Sequence, residues 1–185
     1  MEGLIIIGVI IFLPIIFAIV TYNSLVRLSQ MITESWSNVD TELRRRYDLI
    51  PNLVETVKGY AKHEREVFEQ IAQARAAAVA NTGRPSSQAQ DENKLISVLK
   101  SLFAVVENYP ELKANQNFLK LQQELVNTED RTQAARRFYN GNVRDYNNRV
   151  QTFPSNLVAS KSGFQTIDYF EIESLEVRKP VTVSL

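Results

Sequence analysis

The sequence predicts an all-α protein, in which an N-terminal transmembrane helix is followed by an antiparallel four-helix bundle and an extended C-terminal tail. Three observations support this fold class. Residues 3–20 carry no charge, and glycine and proline number only six each in 185 residues. Apolar residues then recur at three- and four-residue steps along most of the chain, which is typical of helices with one buried face. The length fits one domain and an anchor.

The uncharged residues 3–20 predict a membrane span. As a helix rising about 1.5 Å per residue they extend about 27 Å, which crosses the hydrocarbon core of a bilayer. A cleaved signal peptide would need a positive n-region, a shorter apolar run and a small-residue cleavage site, and these features are missing. We therefore predict an anchor at residues 1–21, with Tyr22 and Arg27 at the lipid interface. Arg27 follows the span and no lysine or arginine precedes it, which favours an N-out, C-in orientation.

Four apolar stripes predict a helical bundle at residues 22–152. The first helix continues the transmembrane helix, and Pro51 breaks or kinks it because proline removes a backbone donor. The fourth keeps a seven-residue repeat, which is the seam of antiparallel bundle packing. An exposed loop is expected at residues 81–90. The predicted helices are residues 22–49, 52–80, 90–109 and 111–151.

The C-terminal tail, residues 153–185, contains serine, glycine and proline between short β-prone stretches. Phe164, Tyr169 and Phe170 make it too aromatic for a solvated tail. We expect it to be ordered by contact with bundles and to support assembly. Residues 166–172 could add a strand to a neighbouring copy, whereas Gly163 would permit packing back onto the same bundle.

Composition and motifs predict no catalytic chemistry, no cofactor and no bound metal. Lysine plus arginine and aspartate plus glutamate both number 21, so no global field favours a nucleic-acid partner. There is no cysteine, and His63 is the sole histidine. A zinc-protease helix needs a second histidine four residues on, where Val67 stands. Serine-hydrolase and phosphate-binding motifs are also missing, so we expect a protein that is not an enzyme.

The segment around Pro51 is richer in polar and aromatic groups than a plain core requires. One interpretation is a surface for a partner or for self-assembly. The other is a helix-junction network that satisfies the backbone groups freed by Pro51; the sequence does not separate the two. For the three consecutive arginines we favour surface ion pairs with helix neighbours such as Glu42 or Asp48 over lipid binding, since Arg45 would lie roughly 37 Å beyond the membrane edge. The candidate interaction residues are Trp36, Asp40, Arg44, Arg45, Arg46, Tyr47, Asp48 and Asn52, with Phe164, Tyr169 and Phe170 in the tail.

The run RRYDLIPNLVETVKGY at residues 45–60, preceded by SWSNVD, resembles the bacterial LemA family. The resemblance continues through YPELKANQNFLKLQQELVNTED and RRFYNGNVRDYNNRVQTFPSNLVA. It implies a membrane-anchored four-helix bundle, an activity that is not established, and no catalytic residues to transfer. For a bacterial protein we expect the cytoplasmic (inner) membrane, with a single pass through the one uncharged segment. The N-out, C-in orientation then puts the C-terminal domain in the cytoplasm.

Two functions fit these features. The first is a non-enzymatic membrane-anchored scaffold that self-assembles through its bundle and tail, which makes the lipid bilayer and other copies of the chain its partners. The second is an adaptor or regulator of another membrane protein, such as a membrane protease.

Overall fold

The structure is a computed structural model that describes residues 2–175, with the backbone but not the side chains of residues 3–11. This part is 81% helical and contains no strand, so the all-α prediction is confirmed. Residues 176–185 of the predicted tail lie outside the described range. The helices are α1 (Glu2–Lys58), α2 (Arg65–Ala80), α3 (Pro85–Val106), α4 (Pro110–Lys113), α5 (Gln116–Gln151) and α6 (Ser155–Lys161).

Helix α1 runs without interruption through 57 residues, as predicted for the connection between the apolar segment and the domain. It does not end at Pro51 as the sequence suggested. The carbonyl of Tyr47, which Pro51 leaves without its helical donor, instead accepts a hydrogen bond from Arg75 Nε at 2.7 Å. The helix ends at Lys58, just before Gly59, and α2 begins only at Arg65. The boundary predicted at residues 49–52 therefore lies at residues 59–64.

Helix α3 begins at Pro85, five residues earlier than expected. Proline suits the first turn of a helix because the amide it lacks would have no intrahelical partner there. The predicted loop at 81–90 contracts to residues 81–84, held by Asn81. Its side chain donates to Asp91 Oδ2 at 2.7 Å and accepts from the Gly83 amide at 2.8 Å. The Asn81 hydrogen bond lowers the pKa of the Asp91 carboxyl.

The tail contains a helix that was not expected from the sequence, α6. Helix α6 ends at Lys161, and Gly163 follows with a φ of 77°, a conformation that glycine adopts without strain. The amide of Phe164 then bonds the carbonyl of Ala159 at 3.0 Å and closes the helix end. Residues 164–175 continue as extended chain that is neither helix nor strand.

The chain divides into two compact units. Unit 1 is Met1–Ser37 with Phe138–Asp168, and unit 2 is Asn38–Arg137 with Tyr169–Leu185. Helices α1 and α5 each contribute to both.

The core of unit 2 follows the predicted apolar stripes closely. Along the longer helices of this unit, the residues of the predicted apolar stripes face the interior, which confirms the stripes. The buried stripe residues are Val39, Leu43, Tyr47, Ile50, Leu53, Val57, Phe68, Ile71, Ala78, Leu95, Leu99, Leu102, Val106, Phe118 and Leu125.

Unit 1 is organised around aromatic and amide side chains of α5. The Tyr139 ring packs on Trp36 of α1 with centroids 5.2 Å apart, and the Tyr139 hydroxyl donates to the Asp168 carbonyl at 2.9 Å. Asn147 both donates to the carbonyl of Ile167 and accepts from its amide, each at 2.9 Å. The chain after α6 is thus fixed to α5 within this unit.

Candidate functional site

A buried arginine, Arg46 of α1, is the centre of a polar cluster in unit 2. Its side chain is completely buried. Nη1 donates to Glu92 Oε2 of α3 at 3.1 Å, and Nη2 donates to Glu129 Oε2 of α5. Nε is buried and has no hydrogen-bond partner. One cation therefore joins three helices through ion pairs inside the unit.

Glu92 is hydrogen-bonded on both oxygens. Besides the Arg46 contact on Oε2, Oε1 accepts from the Tyr47 hydroxyl and from Gln88 Nε2 at 3.3 Å. Gln88 also donates to the Tyr47 oxygen and to the Ala78 carbonyl, each at 3.0 Å. Burial raises the pKa of the Glu92 carboxyl, and Arg46 opposes that rise only in part. Burial also raises the pKa of Tyr47, so its hydroxyl keeps the proton that it donates.

Glu129 connects the cluster to the extended chain. Its Oε1 accepts from Gln133 Nε2 at 2.8 Å and from the Leu175 amide at 3.4 Å. Asn93 of α3 holds the same segment, because its Oδ1 accepts from the Glu173 amide at 2.7 Å. Arg136 of α5 donates to the Ile172 carbonyl. Residues 171–175 are therefore tied to both α3 and α5.

The cluster places two carboxylates against one guanidinium. A buried ion pair of this kind adds little stability over well-packed apolar side chains, but removing one partner leaves an uncompensated charge inside the protein. Directional bonds from Arg46 to two other helices also fix the register of all three. The role of this arrangement is structural, because it holds α1, α3 and α5 in one alignment.

An open groove of about 240 Å³ lies beside this cluster. It brings together four of the predicted interaction residues, Asp40, Arg44, Tyr47 and Asp48, with Arg75 of α2. Arg44 Nε lies 2.7 Å from Asp40 Oδ2 on the exposed surface, and this hydrogen bond raises the pKa of Arg44. The groove therefore presents charges of both signs.

The Arg75 contact bears on the two interpretations of the Pro51 segment. It satisfies the one carbonyl, that of Tyr47, which Pro51 deprives of its helical donor. This is the contact expected of a helix-junction network. The other interpretation, a surface for a partner, also remains, because the Asp40 and Arg44 side chains are exposed.

The three consecutive arginines have different environments. Arg45 Nη1 pairs with Glu42 at 3.3 Å, as predicted, and Arg44 pairs with Asp40 rather than with Asp48. The prediction of a surface ion pair is wrong for Arg46, whose side chain is 0% exposed. Its position on α1, three residues after Leu43 and four before Ile50, puts it on the buried face.

The remaining predicted residues are dispersed. Trp36 is half-buried in unit 1, and Asn52 is exposed on α1. Phe164 packs edge-on against Tyr22, with ring centroids 5.6 Å apart. Arg27 is exposed.

In the tail, Phe170 is completely buried whereas Tyr169 is 39% exposed. The buried ring and the Asn93 and Arg136 contacts show that residues 170–175 pack on unit 2 of the same chain. This is the alternative that Gly163 permitted, and residues 166–172 form no strand.

Sequence reasoning missed Glu92, Glu129 and Gln88. A signal for them exists, since Glu92 precedes Leu95 by three residues and Leu99 by seven, which puts a charge in phase with an apolar stripe. Charged residues at such positions are rarely buried unless paired. Glu92 and Glu129 are 46 and 83 positions away from Arg46 in the sequence. Such distant pairs leave no local pattern in the sequence.

The described part of α1 also has a strongly apolar exterior. Phe12, Leu13 and Val20 are at least 60% exposed, and Ile15, Ile16, Phe17, Ile19 and Tyr22 are at least 40% exposed. Within residues 2–175, α1 is the one helix long and apolar enough to cross a membrane. Water is an unfavourable environment for this continuous surface.

His63 is exposed in the turn between α1 and α2. In the part of the chain that the structure describes, no group of three or more histidine, aspartate or glutamate side chains is placed to hold a metal ion.

These features define a class: helical proteins with one apolar N-terminal helix suited to anchoring a helical domain to a membrane. The sequence model of the LemA family matches residues 35–185, which is most of the chain. The chain therefore belongs to the LemA family, as the residues around Pro51 suggested.

Three relatives support this assignment. Magnetosome protein MamQ 2 of Paramagnetospirillum magneticum is 27% identical over 175 residues, covering 81% of this chain and 64% of the relative. Protein LemA of Metamycoplasma hominis is 26% identical over 154 residues, with 83% and 70% covered. MamQ of Magnetospirillum gryphiswaldense is 25% identical, with 80% and 64% covered. The chain thus spans slightly less than two thirds of the length of the MamQ relatives.

Proposed function

We propose that this chain is a non-enzymatic membrane-anchored scaffold that assembles with copies of itself. One contrast carries the proposal. The polar cluster around Arg46 is buried and bonded to itself, whereas the large apolar side chains of α1 between Phe12 and Val20 are exposed. A buried, internally bonded cluster is expected of a structural module. An exposed apolar surface is expected of a helix that lies in a bilayer.

Anchoring follows from the exterior of α1. Its side chains between Phe12 and Val20 are mostly exposed and apolar, and lipid would cover them at a gain of about 25 cal/mol per Å² removed from water. Arg27 on the C-terminal side of the span favours an N-out orientation. We place the anchor in the bacterial cytoplasmic membrane, with the rest of the chain in the cytoplasm.

The module at the end of the anchor is, in this proposal, an antiparallel four-helix bundle. Short connections support it: residues 59–64 join α1 to α2, and residues 81–84 join α2 to α3. Connections of this length usually make consecutive helices antiparallel neighbours. Arg46, Glu92 and Glu129 would then fix the register of three of the four helices.

Self-assembly rests on apolar surface that the chain leaves uncovered. Phe138 on α5 is 57% exposed, beside Tyr139, which packs inward on Trp36. Contact with a second copy would bury this ring and stabilise the pair. Residues 170–175 of the tail pack on their own chain, so we assign the self-contact first to the bundle.

A cysteine cross-linking experiment tests the scaffold. The natural chain has no cysteine, so Phe138→Cys introduces a single thiol. Mild oxidation in membranes should link two Phe138→Cys chains, while the exposed α1 position in Thr33→Cys should remain monomeric. Native mass in mild detergent should then exceed one chain of 21.1 kDa. Monomers throughout would contradict self-assembly.

The groove beside Arg44 favours a second candidate function, an adaptor for another membrane protein. Its exposed Asp40, Arg44 and Asp48 offer charges of both signs to a partner. Affinity purification from mild detergent separates the two functions, since a scaffold recovers mainly itself and an adaptor recovers a defined partner. That partner should be lost with Arg44→Glu and kept with the nearby Arg45→Glu.

The non-enzymatic part of the proposal has its own test. Purified chain should turn over no substrate in a way that depends on His63 or Glu64. Activity that disappears with His63→Ala or Glu64→Ala would overturn it.

A further inference from the structure

We propose that α6 and its flanking residues form a second contact with the bilayer. In this arrangement Phe153 and Leu157 insert at the boundary between headgroups and acyl chains, and Lys161 faces anionic headgroups. The proposal rests on the anchoring of α1 in the membrane. It adds a surface that neither the apolar span nor the predicted lipid residues Tyr22 and Arg27 include.

The position of α6 within unit 1 is the first argument. An open groove separates it from α1 and is lined by Ala18, Ile19 and Tyr22 on one side and by residues 157, 158, 161 and 162 on the other. The uncharged segment ends at Val20. Tyr22 lies about 3 Å further along the helix axis at the usual rise per residue. Helix α6 therefore lies level with the end of the span.

Its exposed side chains are the second argument. Phe153 is 73% exposed and Leu157 is 61% exposed. Scattered exposed apolar residues are ordinary on soluble proteins. Leu157 lines the same groove as Ile19 of α1, so the lipid phase that covers α1 would cover it too. Phe153 lies four residues before Leu157 in the chain.

The distribution of charge is the third argument, and it identifies the occupant. Between residues 3 and 33 the single charged residue is Arg27. Between residues 146 and 167 the charged residues are Arg149 and Lys161, and no aspartate or glutamate occurs. Lys161 lies beside Ile19 and Tyr22 at the groove, and a lysine next to an apolar surface matches the anionic surface of a membrane.

The geometry of α6 suits this placement. Leu157 and Lys161 are four residues apart, so they lie on the same face of the helix. Lysine can bury its aliphatic stem against apolar groups while its ammonium group reaches the headgroups. The edge contact between Tyr22 and Phe164 holds the chain after α6 against α1.

Spin labels on the full-length chain test the proposal. Because the natural chain has no cysteine, single labels can be placed at Leu157→Cys and Phe153→Cys. Ile16→Cys is the reference inside the span, and Thr33→Cys is the aqueous control, about 20 Å beyond Val20 along α1. The chain is reconstituted in phosphatidylcholine vesicles with and without phosphatidylglycerol. Collisions with oxygen report lipid, and collisions with a water-soluble nickel chelate report water.

The expected result is that labels at 153 and 157 resemble Ile16→Cys more than Thr33→Cys. Adding Lys161→Gln to Leu157→Cys should lower the lipid-inserted population about fivefold in the anionic vesicles, as expected for losing one basic contact with the surface. It should change little in vesicles of phosphatidylcholine alone.

Three outcomes would overturn the inference. Water exposure at 157 with lipid exposure at Ile16→Cys would show that α1 is anchored and that α6 is not in contact with the bilayer. Protection from both reagents would assign the surface to a second copy of the chain. Water exposure at Ile16→Cys would refute the anchor, and the second contact with it.

Discussion

The two units treat charge and apolar surface in opposite ways. Among the described residues of unit 1, the buried polar side chains are all neutral, and the large apolar side chains between Phe12 and Val20 of α1, with Leu157 of α6, are exposed. In unit 2, Arg46, Glu92 and Glu129 are buried and bonded together. The surroundings of a side chain therefore decide whether it is buried or exposed as much as its residue type does. An exposed leucine is stable where lipid can cover it. A buried arginine is stable where carboxylates pair with its guanidinium.

The largest expected effect comes from breaking the buried charge cluster. Arg46→Ala leaves two carboxylates without their cation, and such losses cost about 3 to 5 kcal/mol. Urea titration of the helical circular dichroism of the full chain in mild detergent measures this. The exposed neighbour provides the control, since Arg45→Ala should change stability by less than about 0.5 kcal/mol. Equal effects would mean that Arg46 is not buried.

The second effect concerns the closure of unit 2 by its own tail. Phe170 is completely buried, and Phe170→Ala should cost about 3 kcal/mol in the same titration, as core aromatic truncations do. The adjacent Tyr169 is 39% exposed, so Tyr169→Ala should cost below about 1 kcal/mol. If Phe170→Ala keeps full stability and only lowers the native mass, the tail serves assembly, as the sequence alone suggested.

The third effect is the stability cost of truncating Trp36 in unit 1, compared with that of truncating a fully buried aromatic side chain such as Phe170 in unit 2. Trp36 is half-buried against Tyr139, so Trp36→Ala should cost about 2 kcal/mol, less than the 3 to 5 kcal/mol of a fully buried aromatic. The thermal midpoint of the full chain reports it. An unchanged midpoint would move Trp36 to the interaction surface. Trp36→Phe, which keeps a ring against Tyr139, should lose less than half as much.

The smallest effect is a pH dependence with an unusual sign. The raised pKa of Glu92 means that the folded state holds its proton more firmly than the unfolded chain does. Its contribution to stability is thus fully present below the ordinary value of 4.5 and is lost as the pH rises through the raised value. Stability should increase on mild acidification, with a slope of at most about 1.4 kcal/mol per pH unit.

Glu92→Gln provides the control for this dependence because it removes the titrating group. Its stability should vary less with pH above 4.5, the ordinary value for Glu92. Asp91, whose pKa is lowered, acts in the opposite direction and only below its ordinary value of 3.8. A slope that persists in Glu92→Gln would assign the dependence to another group.

Much of the fold could be predicted because helices with one buried face leave a periodic signal. The seven-residue repeat of α5 places Phe118, Leu125, Thr132 and Tyr139 in the interior. The sequence left a break or a kink at Pro51 open, and the helix boundary at residues 49–52 was wrong. A local rule cannot register Arg75, which is 24 residues away in sequence. Helix α6 was missed because seven residues are too few for a periodic pattern.

The candidate site was less predictable than the fold. Asp40, Arg44, Tyr47 and Asp48 were proposed as interaction residues, and the structure gathers them at one groove. The burial of Arg46 depends on Glu92 and Glu129, and no short window of sequence contains all three. Propensity and spacing locate the faces of helices, whereas pairing between helices needs the tertiary structure.

The hydrogen bond from Arg75 to the Tyr47 carbonyl has a consequence for cooperativity. In an uninterrupted helix the last turns can open and close independently of their neighbours. Here the turn preceding Pro51 has exchanged one of its own hydrogen bonds for one supplied by α2. The end of α1 is therefore protected only while α2 is docked. The two should open together as one unit, with amides of residues 52–58 and 68–78 exchanging with solvent deuterium at a common rate under conditions that favour partial unfolding.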